Sequence, residues 1–184
     1  MIAVETSRLS LRDWRIEDLR PYARLNSDKK VMAYFPKILT WEETEAHYLK
    51  MKSHIEQYGF GFWAVEERIS GRFIGFIGLQ WTNFDAEFTP CVEIGWRLDK
   101  RYWRKGYASE GAQACLDHAF RKLSLEEVYS FTAKINVPSE GVMKKVGMTK
   151  LREFEHPLVD SRSKLSTHVL YNMSVDSWLV AQKG

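Results

Sequence analysis

The chain has 184 residues, of which 45% are hydrophobic and 14% aromatic, so it can bury a substantial core within one domain. The formal net charge of +3 is mild, and a local run of charge is therefore more informative than the total. No stretch approaches the ~20 apolar residues of a membrane span, and the first residues lack the layout of a secretory signal peptide.

The first half of the chain is predicted to consist mainly of strands. Apolar patterning predicts three of them, at residues 8–14, 60–67 and 72–81. Helices are predicted at residues 17–25, 28–34 and 41–58. Pro21 predicts a kink in the first helix, Ser27 is a candidate cap for the second, and Thr40 begins a capping box ahead of the third.

Strands and helices alternate in the second half. The predicted strands lie at residues 91–98, 127–134, 148–155 and 167–173. The predicted helices lie at residues 107–123 and 137–146, with a terminal helix after Ser174. This mixture indicates an α/β or α+β domain around one mixed sheet. Cys91 and Cys115 lack metal-ligand spacing, which predicts reduced core thiols in a cytoplasmic protein.

The segment from Val92 to Glu110 combines an apolar strand, a basic turn and a helix start rich in small residues. Five of the nine residues from Arg97 to Lys105 are Lys or Arg. A helix that begins after Gly106 leaves backbone N–H groups unpaired, and its dipole also favours negative charge. The segment therefore predicts a site for a phosphate-bearing ligand.

Three segments, in this order and spacing, resemble the GNAT family of acetyl-CoA-dependent N-acetyltransferases, most closely its RimJ/RimL-like branch. They are EIGWRL…YWRKGYASE at residues 93–110, NVPS…KVGM at 136–148 and HVLY at 168–171. The resemblance implies a single GNAT domain over residues 1–184, with a mixed, mostly antiparallel central sheet that is splayed at a bulge and flanked by helices. It also implies acetyl-CoA as co-substrate. No metal is predicted, because His47 and His54 share a helix face without a third ligand.

The resemblance also implies which residues bind acetyl-CoA. Backbone groups of Trp96, Arg97 and Leu98 would pair with the pantetheine arm, and Asn136 would hydrogen-bond this arm from the start of its helix. The pyrophosphate would lie against the turn and the helix start, formed by Arg104, Lys105, Gly106, Tyr107, Ala108 and Ser109. Trp103 is usual in the RimJ/RimL-like branch, whereas Arg104 occupies a position where that branch commonly has Gly.

Direct attack of a primary amine on the thioester needs a proton acceptor, an oxyanion donor and a proton for the leaving thiolate. Glu93 is the candidate base, and its alternative role is a salt bridge or an exposed edge position. The N–H of Leu98, or of a neighbour on the splayed strand, is the candidate oxyanion donor. Many family members have a tyrosine acid where this chain has Met143. By resemblance to the branch, Ser139 is the candidate donor to the thiolate, and its alternative role is helix capping.

The acceptor amine is left open by the resemblance. A protein N-terminus is one candidate, and a small amine such as a polyamine, an amino acid or an antibiotic is the other. The residues expected near the acceptor are Tyr34, Phe35, Pro36 and the loop 83–90. His156 and His168 flank a late loop and are candidates for a proton relay.

Two other functions compete with an enzyme. One is a non-catalytic acyl-CoA-binding sensor, which the missing tyrosine favours. The other is a nucleic-acid binder that uses the basic run, but this run is short and lies beside Trp and Tyr. The prediction is therefore a cytoplasmic enzyme with no nucleic-acid or membrane partner, and the branch resemblance favours a homodimer.

Overall fold

A computed structural model describes residues 1–183, which form eight strands and five α-helices. The strands are β1 (Ile2–Glu5), β2 (Leu9–Arg12), β3 (Phe62–Glu67), β4 (Arg72–Thr82), β5 (Cys91–Leu98), β6 (Glu127–Ala133), β7 (Thr149–Glu155) and β8 (Thr167–Ser174). The helices are α1 (Leu19–Ser27), α2 (Trp41–Tyr58), α3 (Tyr107–Arg121), α4 (Val137–Lys145) and α5 (Val175–Ala181).

All eight strands form one sheet in the order β1-β2-β3-β4-β5-β6-β8-β7. Every neighbouring pair is antiparallel except β5 and β6, which run parallel. The predicted mixed, mostly antiparallel sheet is thereby confirmed. No helix within residues 1–183 is long and apolar enough to cross a membrane.

Strands β5 and β6 separate soon after they meet. They share one registered pair, Glu93 with Tyr129, and the hydroxyl of Ser130 donates a 3.0 Å hydrogen bond to the carbonyl of Ile94 just beyond it. In contrast, β5 stays in unbroken antiparallel register with β4 along its full length. The splay therefore arises where the pairing with β6 ends, without any irregularity against β4.

Helices cover both faces of the sheet. A large core that includes Trp63, Ile77 and Ile94 packs against α3, and residues of α3 such as Leu116 are fully buried in it. A second cluster on the opposite face joins α1 and α2 to the sheet through side chains that include Phe76. Because successive residues of a strand point to opposite faces, Phe76 and Ile77 belong to different clusters.

The longest helix follows the sequence signals closely. Thr40 Oγ1 accepts a 3.2 Å hydrogen bond from the N–H of Glu43, whose carboxylate accepts a 3.0 Å bond from the N–H of Thr40. This capping box begins α2, and Gly59 with φ 75° ends it. Strand β5 also has its predicted bounds, and Cys91 and Cys115 are buried free thiols as expected.

The structure corrects three predictions in the first 40 residues. Strand β1 was missed, because four residues are too few to show a two-residue alternation. Residues 28–34 form turns rather than a helix, and Asp28, not Ser27, organises them by accepting a 2.8 Å bond from the N–H of Lys30. The helix α1 begins at Leu19 after a 3-10 turn, so Pro21 lies in its first turn, where a missing N–H costs no hydrogen bond.

Candidate active site

The splay between β5 and β6 opens a cleft of about 1160 Å³. The cleft is lined by β5 from Glu93 to Leu98, by the start of α3, by the start of α4 and by the turn that ends at Pro36. Eleven of the twelve predicted catalytic and ligand-binding residues line this one cleft. One of them, Tyr107, has its side chain buried in the core. Lys105 does not line the cleft, and its ammonium lies 5.3 Å from the ring centre of Tyr102.

The start of α3 presents free backbone donors to the cleft. Gly106 precedes the helix with φ 81°, and no side chain caps it. The first backbone bond of the helix runs from the N–H of Glu110 to the carbonyl of Gly106, so the N–H groups of Tyr107, Ala108 and Ser109 have no partner within the helix. Such donors at the positive end of a helix dipole are well suited to bind a phosphate.

The basic turn ahead of α3 is held in place by the N-terminal segment. Arg8 donates a 2.9 Å bond from Nη1 to the carbonyl of Lys105 and a 2.6 Å bond from Nε to Glu110. Thr6 donates a second 2.6 Å bond to the same carboxylate. Sequence reasoning missed this brace, because Arg8 and Glu110 are about a hundred residues apart and no local pattern connects them. The brace also neutralises the negative charge of Glu110 beside the proposed phosphate site.

Arg104 adopts a conformation that suits glycine. Its φ of 58° lies in the left-handed region, which costs roughly 1–2 kcal/mol for a residue with a side chain. A Gly would adopt this conformation without strain. The exposed Arg104 side chain still lines the cleft beside the helix start, where it adds positive charge.

Alternate backbone groups of β5 point into the splay. The carbonyl of Ile94 faces β6, where it accepts from Ser130, and the carbonyl of Leu98 accepts a 2.8 Å bond from the indole of Trp103. By the two-residue period of a strand, the backbone groups of Trp96 and Leu98 face the same side. Those of Arg97 face β4, so its contribution to the cleft comes from its side chain.

Glu93 is a half-buried carboxylate on the floor of the cleft. Burial raises the pKa of Glu93 to about 7. A 2.8 Å hydrogen bond donated by Thr82 Oγ1 acts in the opposite direction and lowers this pKa. No cation within residues 1–183 forms a salt bridge with it. The salt-bridge alternative is therefore not what the structure shows. A carboxylate whose pKa lies near neutrality can accept a proton at physiological pH.

Asn136 caps α4, and this leaves Ser139 without a capping role. The amide oxygen of Asn136 accepts a 3.3 Å bond from the N–H of Ser139, and its amide nitrogen donates a 2.9 Å bond to Thr132. Ser139 is half-buried, lines the cleft and lies one turn before the buried Met143. Its hydroxyl is therefore available to a ligand in the cleft.

The histidines are placed for packing and hydrogen bonding. His47 Nδ1 lies 2.6 Å from the hydroxyl of Tyr22, and burial lowers the pKa of His47 to about 4. His54 bonds to backbone groups of Phe60 and Trp81. His156 and His168 line the cleft with ring centres 4.8 Å apart, and burial lowers the pKa of His156 to about 4. Within residues 1–183 no three His, Cys, Asp or Glu side chains cluster as a metal site would require.

The residues expected near the acceptor divide into two groups. Tyr34, Phe35 and Pro36 line the cleft. The loop 83–90 does not, because Phe84 and Phe88 pack instead on aromatic side chains of β6 and β7.

The chain is similar to known proteins over most of its length. Residues 8–149 match the family described as the acetyltransferase (GNAT) domain. The uncharacterized N-acetyltransferase YnaD of Bacillus subtilis is 31% identical over 80% of this chain and 82% of its own. The FsC-acetyl coenzyme A-N(2)-transacetylase of Aspergillus fumigatus is 30% identical over 98% of this chain and 79% of its own. A GNAT-family acetyltransferase from Bacillus anthracis has the same fold, with a TM-score of 0.80 and 26% identity over 96% of this chain and 99% of its own.

Proposed function

The chain belongs to the GNAT acetyltransferase family and is an acetyl-CoA-dependent N-acetyltransferase. From this premise we propose that a primary amine attacks the thioester of acetyl-CoA directly and is acetylated. We also propose that the chain belongs to the RimJ/RimL-like branch of the family. The observation that carries this proposal is the composition of one cleft. The cleft unites an uncapped helix start, an open strand edge and a carboxylate whose pKa lies near neutrality.

The residues of the cleft fit acetyl-CoA. The free N–H groups of Tyr107, Ala108 and Ser109 suit the pyrophosphate, with Arg104 and the more distant Lys105 adding positive charge. The open edge of β5 at Trp96 and Leu98 suits the amide groups of the pantetheine arm, which would pair as an added strand does. Asn136 caps α4 beside this path. Bound there, acetyl-CoA supplies a thioester carbonyl that is open to nucleophilic attack.

Three groups of the chain would then act on the reacting atoms. Glu93 accepts a proton from the incoming ammonium, directly or through water, so that the attacking amine is neutral. The N–H of Trp96, which neighbours Leu98 on the open edge and lies nearer Glu93, stabilises the oxyanion that develops when the carbon–nitrogen bond forms. The hydroxyl of Ser139 donates a hydrogen bond to the thiolate as the carbon–sulfur bond breaks. The second proton that the nitrogen loses goes to this sulfur, through Ser139 or water, and the products are an amide and a thiol.

Two observations weigh against the competing functions. A sensor without chemistry has no need of a half-buried carboxylate with a pKa near 7, and burying it costs stability. In the basic run, Arg101 is paired with Asp99 at 2.7 Å and Lys100 is paired with Asp28. Part of the positive charge is thus neutralised within the fold, which disfavours a nucleic-acid surface.

Titration with coenzyme A, followed by an acceptor screen with acetyl-CoA, tests the proposed function. We expect a thermal shift with coenzyme A and thiol release with at least one class among N-terminal peptides, amino acids, polyamines and aminoglycosides. Binding without thiol release across the panel would support the sensor. Absence of both binding and turnover would overturn the proposal.

We extend the proposal to organisation and location. The large core draws residues from β1 to α5, which supports one domain over residues 1–184. The two buried thiols suit the cytoplasm. The homodimer rests on the branch resemblance, and light scattering after size-exclusion chromatography tests it.

A further inference from the structure

Arg97 is a cation held among aromatic rings without a counter-ion. Its guanidinium lies 4.1 Å from the ring centre of Phe35 and 5.3 Å from that of Phe76. Arg97 Nη1 donates a 2.8 Å hydrogen bond to Asn26 Oδ1. Its Nε is buried and has no hydrogen-bond partner within residues 1–183. A buried N–H with no acceptor destabilises the fold, and more so when the group is charged. Such a group is expected to be satisfied by something that binds.

The groups packed around Arg97 do not neutralise it. Tyr22, Asn26 and His47 lie nearby, and the hydrogen bond from Nη1 to Asn26 leaves the charge uncompensated. Burial lowers the pKa of His47 to about 4, with a further contribution from the charge of Arg97, so this imidazole stays neutral. The environment therefore favours an anion at this position.

The charges of the whole cleft point the same way. Glu93 is the only acidic residue that lines it within residues 1–183. Apart from Arg104, which is assigned to the pyrophosphate, the cationic residues that line it are Lys30, Arg97 and Lys145. A polycation would meet one carboxylate and several like charges, which is unfavourable when water is excluded.

We propose that the acceptor is a small amine that carries a carboxylate, and that Arg97 binds this carboxylate while the amine faces Glu93. This inference rests on the proposed function. A guanidinium with free N–H groups matches a carboxylate in geometry as well as charge. Arg97 is thus a specificity-determining residue at the acceptor end of the cleft.

The spacing along β5 sets the length of the acceptor. Glu93 and Arg97 lie on one face of the strand, separated by Gly95, and four residues of strand span about 13 Å. The rings of Phe35, Phe62 and Phe76 line the cleft in this region, which suits an apolar connection. Amine and carboxylate are therefore expected to be separated by several bonds.

Matched sets of acceptors test the proposal on the wild-type enzyme. Each set contains an ω-amino carboxylate, its neutral primary amide and a diamine of equal length, and the chain length increases from set to set. We expect kcat/KM for the acid to exceed that for the amide by about tenfold to a hundredfold. The diamine is expected to be the poorest member, and glycine is expected to be poorer than longer acids.

Variants assign the preference to Arg97. Arg97→Gln is expected to remove the preference of acid over amide, mainly through a higher KM for the acid, and Arg97→Lys is expected to retain part of it. Arg24→Gln is the matched control, because Arg24 is exposed on α1 and does not line the cleft. Circular dichroism and thermal unfolding show whether each variant folds.

The possible outcomes separate this inference from the proposed function. Equal turnover of acid and amide, or preferred turnover of diamines, by the wild-type enzyme would overturn the role of the carboxylate and leave the transferase intact. An unchanged preference in Arg97→Gln would overturn the role of Arg97. Coenzyme A binding without acetylation of any amine, neutral peptides and polyamines included, would overturn the proposed function and this inference with it. The comparison of acid with amide needs no variant, so misfolding of Arg97→Gln leaves the first test in force.

Discussion

Thr82 and Glu93 lie on adjacent antiparallel strands, and the Thr82 hydroxyl donates a 2.8 Å hydrogen bond to Glu93 Oε2. The bond favours the charged carboxylate and so lowers its pKa, while burial favours the neutral acid and raises it. Burial is the larger effect, and the result is a pKa of about 7. This pair sets the proton-accepting strength of the cleft.

Removing the Glu93 carboxylate should remove the pH dependence of catalysis. For the wild type, kcat/KM is expected to rise with pH through about 7, as Glu93 loses its proton and becomes able to accept one. Glu93→Gln is expected to lower kcat/KM by about 10²- to 10⁴-fold and to abolish this limb. A profile that keeps its limb in the variant would assign the base to another group. Glu56→Gln, a neutralised carboxylate on the exposed side of α2, is the control.

Removing the Thr82 hydroxyl should shift the same profile. Thr82→Val preserves the shape of the side chain but loses the bond that favours the charged carboxylate. The pKa of Glu93 is then expected to rise, and the limb of kcat/KM should move to higher pH with the plateau retained. Profiles with identical midpoints would show that the bond does not tune Glu93. Thr149→Val, in the exposed part of β7, controls for the loss of a threonine hydroxyl elsewhere.

Glu93 should also make folding stability depend on pH. Its pKa rises from 4.5 to about 7 on folding, so the folded state binds the proton more tightly. The associated stability is fully present below about pH 4.5 and is lost as the pH rises through about 7, an effect of at most about 3 kcal/mol. Urea unfolding of Glu93→Gln should therefore show a gain over wild type at pH 8 that disappears near pH 4. A gain of equal size at both pH values would point to packing instead of charge.

Substitutions at Ser139 and Asn136 should distinguish a role in catalysis from a role in capping α4. Ser139→Ala is expected to lower kcat by about 10²-fold, with little change in the melting temperature, because Asn136 supplies the cap of α4. Asn136→Ala is expected to cost about 1 kcal/mol of stability through loss of that cap. Thermal unfolding and single-turnover kinetics measure the two effects. A large loss of stability in Ser139→Ala would assign that residue to the architecture of the helix.

Replacing Arg104 by glycine should stabilise the protein. With φ at 58°, Arg104→Gly is expected to add about 1 kcal/mol to the free energy of unfolding, since glycine adopts this conformation without strain. Arg104→Ala loses the same charge but keeps the strain, so it should show no such gain. Chemical unfolding of the two variants at equal ionic strength makes the comparison. Equal stabilities would mean that the turn relaxes around a side chain.

The sequence identifies the parts of the site that are local. The strand, the turn and the helix start between residues 91 and 110 follow one another in the chain, so their order predicts an anion-binding turn. Thr40 with Glu43 and Gly59 predicted α2 for the same reason, because caps and terminators act within a few residues. The use of acetyl-CoA, which the resemblance implies, is supported by the family match, and its position at this turn stays a prediction.

Contacts between distant segments could not be predicted in this way. The Arg8–Glu110 brace and the Asn26–Arg97 bond join residues whose proximity depends on the completed sheet. The pKa of Glu93 depends on burial from several elements, which a strand pattern does not specify. The helix predicted at residues 28–34 was wrong for a local reason. The Asp28 carboxylate accepts a hydrogen bond from the N–H of Lys30, and this contact stabilises a turn instead of a helix.

The single pairing between β5 and β6 has a consequence for the lifetime of the enzyme. Within residues 1–183, strands β1–β5 and β6–β8 share the single backbone pairing of Glu93 with Tyr129, so a pantetheine arm laid along β5 would connect the two groups of strands. A ligand that binds the native state stabilises it by mass action. The metabolic supply of acetyl-CoA would thereby govern how long each molecule resists proteolysis, as well as how fast it works.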